Sequence, residues 1–180
     1  FACVTGPNLN AYLIVYDVES GEKRDILPDK YSDIGNIYDM KLVGKKLFCR
    51  QEVGGKVFVI DIDTEELIEV TNADTGETGT DFSFSGRYVS DPSPYDSSKV
   101  FFQYNNVLHY YDLEKDEYGS MDITLPGGAI RWNYAELSQE GFPGYSLIAQ
   151  ASNAERFYKY NLETGKIEAY RWKLSGEPVK

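Results

Sequence analysis

The sequence predicts an all-β chain assembled from four related units, and two patterns carry this prediction. A hairpin pattern, in which two alternating runs flank a polar turn, recurs in the 180 residues as IVYDVESGEKRDI (14–26), FVIDIDTEELIEV (58–70), HYYDLEKDEYGSM (109–121) and YKYNLETGKIEAY (158–170). Regularly spaced strands without long helical patterns between them are typical of all-β folds. Successive units, measured at the last residue of the first hairpin strand, are 44, 51 and 49 residues apart (Tyr16, Ile60, Tyr111 and Tyr160), which is the period of a supersecondary repeat.

Each repeat holds two further strand-like runs before its hairpin. These runs are NIYDMKLVG and KKLFCRQ in the second unit, RYVSDPSPY and KVFFQYN in the third, and AIRWNYAEL and YSLIAQA in the fourth. Four strands in a repeat of this length are the composition of a propeller blade. We therefore predict a single β-propeller domain over residues 1–180, with four-stranded antiparallel blades near 1–30, 31–75, 82–125 and 128–173.

The third strand of each unit favours blades over a flat sandwich. Both of its faces are largely apolar or aromatic, with Ile14 and Tyr16 on one face and Leu13 and Val15 on the other in the first unit. A blade between two neighbours buries both faces, whereas a half-solvated sheet alternates apolar with polar residues. The first unit also lacks an innermost strand. This predicts a segment of a larger ring, completed by additional blades or by a second copy of the chain.

An Asp or Asn ends the third strand of every unit, at Asp17, Asp61, Asp112 and Asn161. A side-chain oxygen at this position accepts hydrogen bonds from the backbone N–H groups of the following turn. Gly21 and Gly165 can take the positive φ that such turns need. We therefore predict that these four residues form turns rather than bind a ligand.

The hairpins, together with DIDTEELIEVTNADTGETGTDFSFSGRYV (61–89), resemble the repeats of the TolB-like and YVTN-type propellers. The shared pattern is a strand ending in Asp, a turn such as Leu-Glu-Thr-Gly, a strand ending near Val-Thr, a polar loop and an aromatic-Ser-x-x-Gly-Arg step, which EVTN and FSFSGR match here. The Ser-Pro-Asp-Gly turn of the TolB-like repeat is reduced to Ser85-Gly86. The resemblance implies architecture only, because relatives of this type include protein-binding scaffolds, domains that gate peptidases and some lyases.

Composition narrows the range of partners. A net charge of −11 argues against nucleic-acid binding, because a polyanion is repelled. No run approaches the roughly 18 apolar residues that a membrane span needs. Cys3 and Cys49 fit small buried apolar residues, with a bridge between neighbouring sheets as the alternative. We expect an extracytoplasmic or cell-surface location.

Candidate residues for chemistry are few. His109 is the only histidine, which excludes a histidine-based triad and a multi-histidine metal site. The acidic loop NADTGETGTD (72–81) offers Asp74, Glu77 and Asp81, whose oxygens are of the kind that a calcium ion binds, although their spacing is not that of an EF-hand. A solvated loop without metal is the alternative interpretation. No other cofactor is predicted.

The predicted binding residues are Arg131, Trp132, Asn133 and Tyr134, on the channel-lining first strand of the fourth unit. These residue types stack on sugars or anchor protein partners, although they also pack between blades. Four loops complete the predicted binding face: Asn8–Asn10, Asp29–Tyr31, Asn72–Asp81 and Asn105–Asn106. The sequence therefore favours a non-catalytic binding or scaffold module for a protein or carbohydrate partner. The alternative is a carbohydrate-active lyase or hydrolase that uses Arg131 or Tyr134 at the channel mouth.

Overall fold

The computed structural model describes residues 2–5, 11–33, 36–52, 54–83, 89–90, 92, 97–105, 107–124, 147–150, 157–160, 166–172 and 178–179. Over these ranges the chain consists of sixteen strands and one short 3-10 turn at Asp29–Tyr31. None of the described residues belongs to a helix long and apolar enough to cross a membrane. The prediction of an all-β chain is confirmed.

The strands form sheets whose neighbouring strands are antiparallel, with one short parallel exception described below. Their bounds are β1 (Ala2–Thr5), β2 (Ala11–Tyr16), β3 (Lys23–Asp25), β4 (Ile37–Val43), β5 (Lys46–Gln51), β6 (Lys56–Asp61), β7 (Val70–Asn72), β8 (Thr78–Gly79), β9 (Phe82–Ser83), β10 (Lys99–Tyr104), β11 (Val107–Asp112), β12 (Glu117–Thr124), β13 (Leu147–Gln150), β14 (Phe157–Tyr160), β15 (Ile167–Trp172) and β16 (Pro178–Val179).

The chain divides into two compact units. The first unit consists of Phe1–Val70 and Thr78–Phe84, and the second of Thr71–Glu77 and Ser85–Lys180. The first unit contains a sheet of order β1-β2-β3 and a sheet of order β4-β5-β6-β9. The second unit contains the β10-β11-β12 strands and a sheet of order β13-β14-β15-β16. The chain thus passes between the units more than once.

The core of the first unit lies between its two sheets. Leu13 of β2 and Ile26, which directly follows β3, pack with a set of buried residues from the second sheet and its flanks: Tyr31, Ile37, Leu47, Cys49, Phe58 and Ile60. Burying one side chain of the Leu, Ile or Phe type contributes about 1.5–3 kcal/mol, so this layer is the main source of cohesion between the sheets. Cys49 is fully buried, as its apolar interpretation predicts.

The two-sided burial predicted for the third strand holds in the second sheet but not in the first. In β6, residues Val57, Phe58, Val59 and Ile60 are all at most 2% exposed. In β2, Leu13 is fully buried, but Tyr12 and Tyr16 on the opposite face are 38% and 51% exposed. The expectation of two buried faces is therefore wrong for β2, because none of the described residues covers its Tyr12 face.

One six-residue turn is built four times with the same hydrogen bonds, beginning at Asp17, Asp61, Asn72 and Asp112. In each turn the N–H of the fifth residue donates to the first carbonyl, at 2.7–3.1 Å. The first side chain accepts from the N–H of the third residue at 2.8–3.0 Å. The fifth residue has positive φ in all four, at Gly21, Glu65, Gly76 and Asp116.

The turn role predicted for Asp17, Asp61 and Asp112 is confirmed, and Asn161 with Gly165 lies outside the described residues. The N–H groups of Ser20 and Glu19 lower the pKa of the Asp17 carboxyl. Those of Thr64 and Asp63 lower the pKa of the Asp61 carboxyl. Both carboxylates therefore stabilise their own turns by accepting hydrogen bonds from the turn N–H groups.

The strand that lies next to β6 in the second sheet differs from the one that the predicted hairpin would place there. We expected one strand to run back along β6 through residue 70. Instead, Leu67 forms a bridge with Ile60, and the strand next to β6 resumes only with β9, where Phe82 pairs with Val57. The intervening segment carries β7, the Asn72 turn and β8. The sequence EVTNADTGE contains a turn of its own, and this turn ends the predicted strand early.

In the second unit, β10, β11 and β12 pair antiparallel, and Thr71 and Asn72 of β7 pair in parallel with β12. Tyr111 is fully buried, and its hydroxyl donates to Asp116 Oδ1 at 2.6 Å. Burial and the Asp116 carboxylate raise the pKa of Tyr111, so the hydroxyl remains a donor at neutral pH. The bond thus links Tyr111 to the residue that takes the positive φ of this turn.

The predicted first strands of the third and fourth units fall almost entirely outside the described residues. Of RYVSDPSPY, the structure describes Val89, Ser90 and Pro92. Val89 and Ser90 are buried, and Ser90 exchanges hydrogen bonds with Phe101 of β10 at 2.8 Å. The blade boundaries therefore remain a prediction.

Candidate binding surface

Two of the predicted binding loops meet in the first unit. The 3-10 turn Asp29–Tyr31 lies against Thr80 and Asp81, which follow β8 and belong to the predicted loop Asn72–Asp81. Lys56, at the start of β6, completes the group. We call Lys30, Tyr31, Lys56, Thr80 and Asp81 the Tyr31 cluster.

Tyr31 anchors the cluster to the core. Its ring stacks on Phe58 with centroids 4.1 Å apart and planes 10° apart, and the residue is 2% exposed. Its hydroxyl lies 3.1 Å from both the Thr80 carbonyl oxygen and Asp81 Oδ2. Burial raises the pKa of Tyr31 to about 12; the hydrogen bond to Thr80 opposes this rise and the charge of Asp81 adds to it. The phenol is therefore a permanent donor at neutral pH.

Asp81 is held from the other side by lysines. Lys56 Nζ lies 2.7 Å from Asp81 Oδ1, and Lys30 Nζ lies 3.6 Å from Asp81 Oδ2. Partial burial opposes ionisation of the Asp81 carboxyl. The hydrogen bond and the charge of Lys56 outweigh this effect, and Tyr31 and Lys30 act in the same direction as Lys56. The pKa of Asp81 is therefore lowered. The Asp81 carboxylate is already paired with Lys56 and Tyr31, so it is not placed to act as a general base.

The lysines make the outer side of the cluster positive. Lys30 also hydrogen-bonds Thr80 Oγ1, and its ammonium lies 5.2 Å from the centre of the Tyr31 ring. The side chains of Lys30 and Lys56 are 57% and 50% exposed, whereas that of Asp81 is 15% exposed. Two accessible ammonium groups over one covered carboxylate leave a positive spot on a chain whose net charge is −11. Such a spot attracts anionic groups.

The three calcium candidates have other partners. Asp74 Oδ2 accepts the N–H of Ser120 at 2.8 Å, and Glu77 Oε2 accepts from Thr75 Oγ1 at 3.5 Å within the Asn72 turn. Asp81 is engaged in the Tyr31 cluster. Over the described ranges, no group of three or more His, Cys, Asp or Glu side chains is arranged to hold a metal ion.

Arg131, Trp132, Asn133 and Tyr134 lie outside the described residues, as do Asn8–Asn10 and Asn106. Asn105 has a positive φ of 49° after β10. His109 Nδ1 lies 3.1 Å from the Val107 carbonyl, and its ring stacks on Phe102 with centroids 5.4 Å apart. Its neighbours are thus those of a packed histidine.

Sequence reasoning missed the contact between an exposed tyrosine and a partly buried arginine on the second sheet. Tyr38 of β4 is 50% exposed, and the guanidinium carbon of Arg50 lies 5.0 Å from the centre of its ring. A β-bulge between Ile37 and Asp39 sets Tyr38 outside the regular register. The sequence signal is an Arg twelve residues after its tyrosine, on the neighbouring strand, and this spacing becomes meaningful only once the register is known.

No protein-family model matches the chain, and no curated protein matches it. Among solved structures, it resembles the extracellular domain assigned to a hybrid two-component system of B. thetaiotaomicron, with a TM-score of 0.52, 11% identity, and coverage of 98% of this chain and 24% of that one. An extracellular domain assigned to a one-component system of the same organism gives the same values. The tricorn protease matches at a TM-score of 0.35 and 13% identity over 92% of this chain and 19% of that one, which is too low to support an argument.

The chain spans about a quarter of the length of the first two structures that it matches. At 11% identity this likeness concerns the fold alone.

Proposed function

We propose that the chain is a non-catalytic binding module, a β-propeller segment that recognises a partner through the Tyr31 cluster and the loops beside it. The observation that carries this proposal is the preformed positive spot. Tyr31 and Asp81 fix two loops that are 50 residues apart in sequence, and Lys30 and Lys56 remain accessible above them. A rigid group of this kind loses little conformational freedom on binding.

The partner that fits this chemistry is a protein or glycan bearing carboxylate groups. Ammonium groups form charge-assisted hydrogen bonds with carboxylates, and the exposed ring of Tyr38 adds a stacking surface for sugars or aromatic residues. Catalysis is not favoured, because Asp81 is already paired and His109 is the only histidine.

The propeller architecture is proposed because the same hairpin repeats along the sequence. Four hairpins with a shared period fall in successive sheets, and the same turn begins at Asp17, Asp61 and Asp112, which are three of the four repeat positions. An experimental structure should show the sheets arranged radially about one axis. Two sheets stacked face to face as a closed sandwich would contradict the proposal.

An extracytoplasmic location is proposed together with this architecture. It extends the sequence-based expectation, and the two similar crystal structures are of extracellular domains. Fractionation of cells that produce the native protein, followed by detection with an antibody against this chain, tests it. Recovery in the cytoplasmic fraction alone would contradict it.

The binding proposal is tested with a glycan array that includes uronic-acid glycans and with a pull-down. Lys30→Glu should abolish the signal, because it reverses the charge of the most exposed group in the cluster. Lys45→Glu is the matched control, since Lys45 is also an exposed lysine paired with an aspartate, Asp63. Equal loss in both variants, or loss in neither, would contradict binding through the Tyr31 cluster.

A second pair of variants addresses the sequence-predicted loop. Trp132→Ala and Arg131→Ala should weaken the same signal if the predicted binding face extends to residues 131–134. Loss of binding in these variants with no effect of Lys30→Glu would transfer the site to that loop. A bound glycan that is consumed over time would instead favour the lyase or hydrolase alternative.

A further inference from the structure

Asp81 is a fixed negative charge beneath the two lysines of the Tyr31 cluster. Lys56 Nζ lies 2.7 Å from its Oδ1, and the Tyr31 hydroxyl donates to its Oδ2 at 3.1 Å. The Tyr31 ring is itself stacked on Phe58 and buried. Since each carboxylate oxygen has its own partner, Asp81 cannot turn away from an incoming ligand without losing one of these bonds.

The two lysines can offer further donors to a ligand. An ammonium group has three N–H donors. Lys56 gives one of them to Asp81, and Lys30 gives one to Thr80 Oγ1. Both lysine side chains are at least half exposed, whereas the Asp81 side chain is mostly covered. A ligand anion therefore meets the ammonium groups directly and meets Asp81 through its charge.

The charges of the cluster match one negative charge on a ligand. Two ammonium groups and one carboxylate leave one uncompensated positive charge. A second negative charge on the ligand would face Asp81 and a chain whose net charge is −11. A doubly charged anion also costs about four times as much to remove from water, because this cost rises with the square of the charge.

We propose that Asp81 determines the charge selectivity of the Tyr31 cluster. The cluster takes ligands with singly charged acid groups, such as carboxylates, in preference to phosphate monoesters, which are doubly charged in mild alkali. This inference rests on the proposed function, and it adds the class of anion and the residue that selects it.

The size of the effect follows from the distance between the two negative groups. A ligand oxygen bonded to another N–H of Lys56 would lie roughly 4–5 Å from Asp81 Oδ1, since a charge-assisted hydrogen bond is about 2.8 Å long. Repulsion between two unit charges at this distance weakens binding about fivefold in bulk water and more than about a hundredfold at an effective dielectric constant of about 20. A partly exposed site lies between these limits, so we expect about tenfold for each negative charge of the ligand.

Sugars that differ only at the sixth carbon test this selectivity. Glucose is neutral, glucuronate and glucose 6-sulfate carry one negative charge, and glucose 6-phosphate carries nearly two at pH 8 because its second pKa is about 6. The sulfate has the tetrahedral shape of the phosphate, so it separates the effect of charge from that of shape. Affinities for the 180-residue chain are measured by NMR titration of the Thr80 and Asp81 amide signals.

The wild type should bind glucuronate and glucose 6-sulfate with similar affinity and glucose 6-phosphate more weakly, and glucose should cause no shift. Asp81→Asn removes the charge and keeps a side-chain oxygen that can accept from Tyr31 or Lys56. This variant should bind the singly charged sugars about tenfold more tightly and glucose 6-phosphate about a hundredfold more tightly than the wild type does. The phosphate should thereby become its preferred ligand.

Asp63→Asn is the matched control, because Asp63 is also an aspartate paired with an exposed lysine, Lys45. It removes the same charge at a different place, so it should leave every affinity within about twofold of wild type. Circular dichroism verifies that both variants fold.

The role of Asp81 would be overturned, with the proposed function left in place, if the wild type bound glucose 6-phosphate most tightly of the four sugars. A gain in Asp81→Asn by one common factor for all three anions would have the same meaning, as would equal effects of Asp81→Asn and Asp63→Asn. If none of the anions shifted the Thr80 or Asp81 signals in either the wild type or Asp81→Asn, anion binding at the cluster would be refuted and the proposed function would fail with it.

Discussion

Replacing Tyr31 with Phe isolates the hydroxyl that joins the two loops of the Tyr31 cluster. The ring would keep its stacking on Phe58, while the bond to Asp81 or Thr80 would be lost. A hydrogen bond to a charged group contributes about 1.5–3 kcal/mol. Since Asp81 keeps its bond to Lys56, we expect the lower end, so that Tyr31→Phe lowers the free energy of unfolding by about 1.5 kcal/mol at pH 7.

The same substitution should change the response to alkali. The pKa of Tyr31 is about 12 in the fold, mainly because the ring is buried, and about 10 in an unfolded chain. A group whose folded pKa is raised stabilises fully below the unfolded pKa, and this contribution is lost as pH rises through the folded pKa. Between pH 10 and 12 the wild type should lose about 2 kcal/mol that the Phe variant, which has no such proton, does not lose.

Urea unfolding followed by circular dichroism at pH 7, and at steps from pH 9 to 12, measures both effects. The difference in stability between wild type and Tyr31→Phe should shrink above pH 10 and reverse before pH 12. Tyr16→Phe is the matched control, because Tyr16 is 51% exposed, and it should follow the wild type throughout. Parallel wild-type and Tyr31→Phe curves from pH 9 to 12 would refute the reasoning.

Three further predictions concern the turns and the β11–β12 pairing. Asp61→Ala should lower the free energy of unfolding by about 1 kcal/mol, because two turn N–H groups lose their acceptor, and a change no larger than that of Asp63→Ala would contradict this. An NMR titration should give carboxyl pKa values below the usual range for Asp17 and Asp61. The stability that these turns contribute is therefore present above about pH 4 and is lost as the pH falls through the lowered pKa values. Carboxyl pKa values at or above the usual range would be inconsistent with the turn geometry. Gly119→Ala should cost about 1 kcal/mol, since the new Cβ would lie 3.0 Å from the Tyr110 hydroxyl; an unchanged thermal midpoint would show that the ring moves aside freely.

The local features of this fold were accessible from the sequence, and the long-range ones were not. The turns at Asp17, Asp61 and Asp112 follow from side chains that bond their own backbone, so a short window contains the whole interaction. The turn at Asn72, NADTGE, resembles DVESGE at Asp17, but its acidic residues and glycines favour an acidic loop with calcium candidates when only the sequence is considered. Its signal was present in the pattern of Asn, Thr, Gly and Glu.

The Tyr31 cluster shows the limit of that reasoning. Each contributing loop was predicted to lie on the binding face, but the bond between Tyr31 and Asp81 joins residues 50 positions apart. Its existence depends on β9 resuming beside β6 after the Asn72 turn, which is a matter of sheet pairing rather than local preference. The exposed Tyr12 face of the first sheet could not be foreseen for the same reason, because burial depends on which neighbour is present.

The segment Thr71–Glu77, which contains the Asn72 turn and belongs to the second unit, determines where this protein can be cut for experiments. The first unit needs Thr78–Phe84, which come after seven residues that belong to the second unit. A single cut at residue 70 would deprive the first unit of β9 and of both Thr80 and Asp81, whereas a cut at residue 84 would remove Thr71–Glu77 from the second. Truncation at either position should therefore yield a fragment with an incomplete sheet, while circular permutation through the exposed Asn72 turn would keep every strand in one polypeptide.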